Sequence, residues 1–192
     1  MPDIPEGTSG DWKIERFTVT KEDADRTKNY AAMHMGHGYV PPGTYTKLTR
    51  NGGIIMSDTP DEIEDHRSPM FQAGSLAGHV LIAGLGLGLV TRGILLHANV
   101  LRVTVVEISA DVIKLVGPHI QDDRLEIVEA DIHKWRAPKG VRYTVAWFDI
   151  WGDLTSDDLA EMIRLKRRFA KRSVYKGCWR EWACRRMKRH GY

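Results

Sequence analysis

The chain has 192 residues, 42% hydrophobic and 28% charged, which suits one domain with a real core and a small appendage. No window approaches the roughly 18 uninterrupted apolar residues of a membrane span, and the first stretch carries Asp, Glu and Lys where a secretory signal would be apolar. Composition thus points away from a membrane-embedded or exported protein and toward a cytoplasmic one. Cys178 and Cys184 have a spacing that fits no common zinc motif, so reduced intracellular thiols are expected. The formal net charge of +3 hides a split: residues 1–163 hold 16 Lys/Arg against 24 Asp/Glu, and residues 164–192 hold 12 against one. A basic C-terminal segment is joined to an acidic body.

Trp12 to Thr20 alternates as a strand, and Lys21 to Met33 follows as a helix that Thr20 can cap with Asp23 three residues on. His34 and His37 have no carboxylate or thiol at a metal-ligand spacing, so no metal is expected there. Thr44 to Arg50 and Ile54 to Met56 read as a hairpin around Asn51-Gly52-Gly53. Thr59 is a natural N-cap for a helix that opens at Pro60, with Asp61 and Glu62 at its positive end. Capping explains Asp61; it explains Asp58 and His66 less well.

The centre of the chain is His79-Val-Leu-Ile-Ala-Gly-Leu-Gly-Leu-Gly-Leu-Val90. Val80 to Ala83 is a short apolar run suited to a buried parallel strand, and Gly84, Gly86 and Gly88 follow at alternate positions before a helix over 88–98. Glycines here predict a sharp turn and a close approach of backbone N–H groups to a ligand. The acid ending Val103-Thr-Val-Val-Glu107 stands about 20 residues on, where a doubly wound fold places a carboxylate for ribose hydroxyls. Alternation then continues with a helix over 110–117 and strands over 125–129 and 143–149, predicting an α/β parallel sheet with helices on both faces. Its strands end in Gly84, Glu107, Glu129-Ala130-Asp131 and Asp149, all usable at a ligand crevice.

This block resembles the core of class I S-adenosylmethionine-dependent methyltransferases, and most closely the spermidine synthase branch; it is also similar to small methyltransferase-like proteins of bacteriophages. The resemblance implies a Rossmann-like fold with S-adenosylmethionine held by Gly84, Leu85, Gly86, Gly88, Glu107, Ile108, Asp131, Ile132 and Asp149, S-adenosylhomocysteine as product, and no metal. Glu107 matches the ribose acid, Asp131 the acid that reads the adenine amino group, and Asp149 in Phe-Asp-Ile-Trp-Gly-Asp153 the catalytic aspartate of that branch. Asp61-Glu-Ile-Glu-Asp-His66 resembles the segment leading into the spermidine synthase core, and with it Asp58, Glu62, His66, Trp151 and Asp153 are expected around the acceptor. The branch's glycine-motif aspartate is Leu87 here, its tyrosine before the histidine is Asp65, and the carboxylate after Asp149 is displaced to Asp153 with loss of a proline. A methyl acceptor other than a polyamine is therefore expected, aminopropyl transfer being the alternative. Asp149 is the candidate for orienting or deprotonating the acceptor; contact with the cofactor's methionine part, or capping of the next helix, is the competing role.

Ser156 to Phe169 reads as a helix, Arg172 to Lys176 as the one further strand, and Trp179 to Lys188 as another helix. The sheet is thus expected to be truncated at its C-terminal strands, with the fourth strand near an edge that a homo-oligomer contact or the terminal helices would cover. Three parts are expected: a helix and β-hairpin region over 1–70, a nucleotide-binding core over 71–155, and a basic helical segment over 156–192 packing on it. Lys166, Arg167, Arg168, Lys171, Arg172, Arg185, Arg186, Lys188 and Arg189, with Tyr175, Trp179 and Trp182 between them, support the other alternative, a nucleic-acid-binding protein on the same fold with turnover lost or secondary. The competing expectation is that the basic helices lie against the acidic body.

Overall fold

The computed structural model describes residues 4–33, 38–152 and 154–190. Its first unit is an antiparallel sheet of β1 (Gly7–Ser9), β2 (Trp12–Val19), β3 (Gly43–Arg50) and β4 (Gly53–Ser57), in that spatial order. The region is therefore larger than the strand and hairpin expected of it. The Asn51-Gly52 turn takes φ of 50° and 81°, the left-handed pair that a tight hairpin needs. Ile14, Leu48 and Met56 fall on the inner face and are buried. The helix α1 (Lys21–Met33) opens with the expected reciprocal cap: Asp23 N–H donates to the Thr20 hydroxyl at 3.2 Å, and Thr20 N–H to the Asp23 carboxylate at 3.1 Å. His34 and His37 lie outside the described residues.

Two short helices follow, α2 (Pro60–Asp65) and α3 (Arg67–Leu76), separated at His66. Pro60 takes the first helical position as expected, but Thr59 does not cap: its hydroxyl lies 3.0 Å from that of Ser57. The second helix is not signalled by the sequence, because Pro69 and Gly74 lower its propensity. It forms because Ala73 and Met70 pack into the core, where the helix meets the helix over Leu89–Leu95 and the strand over Tyr143–Phe148.

The main sheet is parallel throughout: β5 (Gly78–Ala83), β6 (Val100–Glu107), β7 (Leu125–Glu129), β8 (Tyr143–Phe148) and β9 (Ser173–Cys178), in the order β7-β6-β5-β8-β9. The helices α4 (Leu89–Leu95), α5 (Ala110–Val116), α6 (Asp158–Phe169) and α7 (Glu181–His190) complete it. Numbered among themselves the strands run three-two-one-four-five, so the order reverses between β5 and β8. The 88–98 helix expected from sequence ends at Leu95, because the carbonyls of Leu95, His97 and Val100 turn to the Arg124 guanidinium. The one further strand expected at 172–176 is β9, which pairs with the fourth strand from Tyr143↔Ser173 to Phe148↔Cys178 and forms the edge, so the fourth strand lies near the edge as expected.

Side chains alternate across this sheet. Val80, Ile82, Val103, Val105, Val145 and Trp147 pack with α4, α5 and the N-terminal sheet, whereas Leu81, Ala83, Ala146 and Phe148 pack with α6 and α7 through Met162, Leu165, Phe169 and Cys184. Both cysteines are free and buried, and burial pushes the Cys178 thiol up to about 12, so it is an inert core group. Among the described residues no helix is long and apolar enough to cross a membrane.

The turn after β5 is the tightest point. Gly84 has φ of 95°, and a Cβ there would meet the Asp149 carbonyl oxygen at 1.9 Å. Gly52 has a similar φ of 81° with nothing within 4 Å of a Cβ. Gly52→Ala should cost only the left-handed backbone penalty of about 1–2 kcal/mol, and Gly84→Ala roughly 3 kcal/mol or more, because strand-end backbone must also move. Urea denaturation of the two variants checks this; equal losses would show that the β5–β8 contact yields freely.

Candidate functional site

A cleft of about 390 Å³ opens at the carboxyl ends of β5, β6, β7 and β8, at the strand-order reversal. Gly84 and Gly86 lie at its base; Glu107 and Ile108 come from the end of β6, Asp131, Ile132 and His133 from the end of β7, and Asp149 and Trp151 from the end of β8. Of these, Gly84, Gly86, Glu107, Ile108, Asp131, Ile132 and Asp149 are expected cofactor residues, brought together from four strand ends. Leu85 and Gly88 do not line the cleft: the Leu85 side chain is buried, and Gly88 is the left-handed residue from which α4 starts. Asp58 also lies outside, its carboxylate accepting the Thr46 N–H at 2.6 Å. Asp153 falls outside the described residues.

The glycines make the sharp turn expected of them, with φ of 95°, 50° and 72°, and they also admit the protein's own groups. Cβ atoms at Gly84, Gly86 and Gly88 would meet the Asp149 carbonyl, the Met56 sulfur and Ile120 at 1.9, 2.2 and 2.5 Å, so the protein's own groups occupy the space that glycine leaves. The backbone amides of the turn are also engaged. Gly84 N–H donates to the Val106 carbonyl, Leu85 N–H to the Glu107 carboxylate at 2.7 Å, Leu87 N–H to the Met56 sulfur at 3.0 Å, and Gly88 N–H to the Leu85 carbonyl. Such a turn is no nest for phosphate. Its task is to fix Glu107, whose other oxygen accepts the Ser109 N–H at 2.8 Å. Each carboxylate oxygen keeps a second lone pair for a ligand hydroxyl.

Several lining groups were missed by sequence reasoning. Trp12, Leu48, Arg50, Ile55 and Met56 of the N-terminal sheet form one wall, with the Arg50 guanidinium 5.3 Å from the Trp12 ring centre. Glu161 of α6 accepts from the Trp151 indole at 2.8 Å and lies 3.2 Å from the His133 ring. Trp151 thus lines the cleft, while Trp147 is core. Nothing in the local pattern marks Glu161, which reads as one more acid in the first turns of a helix.

Charge is the other feature of the cleft. Glu62, Glu107, Asp131, Asp149 and Glu161 line it, against Arg50 and His133. His66, fully buried beside it, directs Nε2 toward Glu62 at 3.7 Å and Asp149 at 3.6 Å, and neither ring nitrogen has a hydrogen-bond partner. Burial drives the Asp149 carboxyl up to about 6, with His66 opposing and Glu62 reinforcing the rise. For His66 burial acts downward, but the Asp149 and Glu62 carboxylates outweigh it and its pKa is raised. Asp65 is raised mainly by burial, against the pull of Arg180, whose Nε lies 2.9 Å away. Asp131 is held below the usual range, first by the His133 N–H at 2.8 Å. Among the described residues no three His, Cys, Asp or Glu side chains converge to hold a metal.

No family model matches the chain, and neither does any curated protein. Among solved structures it is similar to spermidine synthase from Thermotoga maritima (22% identity, 74% of this chain and 46% of that one, TM-score 0.45). It is similar to an S-adenosylmethionine-dependent methyltransferase from Mesorhizobium loti (16%, 57% and 48%, TM-score 0.42) and to the CcbJ methyltransferase from Streptomyces caelestis (22%, 54% and 44%, TM-score 0.40). The chain spans less than half the length of each of the three. Likeness at this distance concerns the fold alone. By its strand order and helices the fold is Rossmann-like; any activity has to be argued from the cleft.

The raised Asp149 has a consequence for stability. In the unfolded chain this carboxyl titrates near its ordinary value of about 4; folded, it holds its proton up to about 6. Its proton-linked stabilisation is fully present below the lower value and is lost as pH rises through the upper one. Asp149→Asn removes that loss, and it also removes the charge that raises His66. Both effects have one sign, so the stability of Asp149→Asn relative to the native chain should rise between pH 4 and 7, by about 2 kcal/mol. Denaturation midpoints across that range check it; a flat difference would place Asp149 in water.

Proposed function

We propose that the chain is an S-adenosylmethionine-dependent transferase, a methyltransferase by preference. The observation that carries this reading is the combination of Glu107, fixed by two backbone amides at the end of β6, with a carboxylate-lined cleft whose glycine turn offers no phosphate nest. Such a cleft suits a nucleoside that lacks phosphates and bears positive charge. Bound S-adenosylmethionine supplies an activated methyl group on a sulfonium. Glu107 would accept the ribose hydroxyls, Asp131 the adenine amino group, and Ile108 and Ile132 would flank the base. Asp149 is placed to orient an acceptor or take its proton, and a group that titrates near 6 suits both roles. Glu62, His66 and Trp151 would bound the acceptor side.

Aminopropyl transfer is the second reading, favoured by one observation: Glu62 and His66, from the segment that resembles spermidine synthase, do meet Asp149 at the cleft. Incubation with decarboxylated S-adenosylmethionine and putrescine separates the two. Release of methylthioadenosine supports aminopropyl transfer; binding of the carboxylated cofactor alone removes it.

Titration calorimetry should detect both S-adenosylmethionine and S-adenosylhomocysteine. Glu107→Gln should weaken each by roughly 10- to 100-fold, the worth of a charge-assisted hydrogen bond. Affinity for the sulfonium form should rise from pH 5 to 7 as Asp149 ionises, and the neutral thioether form should lack that trend. No heat with either ligand from a folded protein would overturn the reading.

A further inference from the structure

Behind the loop that follows β7 lies a second cavity, of about 280 Å³, lined by Arg136, Ala137, Lys139, Arg168, Phe169 and Arg172. Four cationic side chains and no carboxylate line it. Two of the four are fixed in place. Arg168, near the end of α6, donates to the carbonyls of Ile132, His133 and Trp135, and Arg172, just before β9, to those of Pro138 and Val141. A guanidinium has five N–H donors. These bonds aim both groups while engaging only their terminal nitrogens, and Arg172 uses one of its two. Arg136 and Lys139 are exposed on the same loop and complete the ring of charge.

From this geometry we infer that the cavity is a phosphoryl-anion site. Cations held together by backbone carbonyls repel one another, and a bound oxyanion relieves the repulsion with charge-assisted hydrogen bonds. The Arg168 guanidinium shows the strain: burial first, and then the charge of Arg136, lower its pKa, with Asp131 acting the other way. The anion is a phosphate ester. A nucleic-acid backbone is the source favoured by the exposed Arg142 and Lys171, which adjoin these residues in sequence; a free phosphorylated compound is the other. The site does not depend on the reading of the main cleft, although Arg168 holds the same Ile132–His133 backbone that forms one wall of it.

Part of the basic tail is engaged within the protein. Lys166 and Arg185 are both paired with Glu181, Arg180 with Asp65, and Trp179 is buried, with Tyr175 bonded through its hydroxyl to Ser68.

The test compares two charge-matched variants of the full chain. Arg136→Gln/Lys139→Gln removes half of the ring without touching the guanidiniums that bind backbone, and Lys188→Gln/Arg189→Gln removes two charges from the end of α7. Anisotropy of a labelled oligouridylate at roughly 50 mM salt should show at least a tenfold loss for the first variant and under twofold for the second. The log–log salt slope should fall by ~1.4 for the first, the equivalent of two phosphate contacts on a single strand. Inorganic pyrophosphate, added as competitor and in thermal shift, distinguishes the sources. Displacement of the oligonucleotide only at far higher concentration assigns the site to nucleic acid; pyrophosphate stabilisation with no oligonucleotide binding assigns it to a free phosphate ester. Equal losses in the two variants, or no response to either probe, overturn the site. Calorimetry with S-adenosylmethionine on the first variant should match the native chain, so a failure of the cleft reading would not be mistaken for a failure here.

Discussion

The glycine turn at Gly84–Gly88 is the constraint on which the remaining structure depends. Three parts of the chain approach it more closely than any side chain at those positions would allow: the end of β8 through the Asp149 carbonyl, the N-terminal sheet through the Met56 sulfur, and the segment after α5 through Ile120. The turn therefore sets the spacing between β5 and β8, where the sheet order reverses and the crevice must open. It also anchors the antiparallel sheet that supplies a wall of that crevice. Because most of its amides are engaged by the protein, recognition passes to the acids around it, and Glu107 is both a strut of the turn and a binding group. One carboxylate thus couples fold and site, and removing it is expected to affect both.

The charge asymmetry of the chain is in part an internal matter. Glu181, the one acid of the C-terminal stretch, gathers Lys166 from α6 and Arg185 from its own helix, and burial of the pair is offset by these bonds. Arg168 and Arg172 terminate the loop after β7 by satisfying carbonyls that no strand or helix takes up. Covering that face of the sheet is the work of α6 and α7, whose apolar positions Leu159, Met162, Leu165, Phe169 and Cys184 fill it. Part of the charge that looks free in a linear sequence thus ties α6 to α7 and holds the loop after β7, while Arg164, Arg167, Arg186, Lys188 and Arg189 stay exposed.

The parallel core was legible because β5, β6 and β8 are buried apolar runs closed by glycine or acid, a pattern fixed by local sequence. The register of Glu107, Asp131 and Asp149 on one edge followed from strand polarity alone. Less legible were features decided by distant partners. The helix α3 holds by packing and not by propensity, the wall of Trp12, Arg50 and Met56 depends on where the first sheet docks, and Glu161 reaches the cleft through Trp151 and His133. What packs against the glycines was illegible for the same reason. Sequence shows that a Cβ is missing, and only the fold shows that the protein itself fills the space.

Where the chain departs from the spermidine synthase pattern, the structure gives two of the departures a physical basis. Leu87, at the place of an aspartate, is 1% exposed within the apolar cluster, and its N–H is bound to Met56. A carboxylate there would be buried without a cation, at a cost of several kcal/mol. Asp65, at the place of a tyrosine, turns to Arg180 and away from solvent, its side chain 5% exposed. Neither position offers a group to an ammonium in the cleft. Glu62 and Asp149 meet at a single imidazole, and burial holds the Asp149 proton up to about 6. A flexible diamine needs separate carboxylates for its ends, whereas a compact cluster of this kind serves one reacting centre: it can favour one positive charge and exchange one proton.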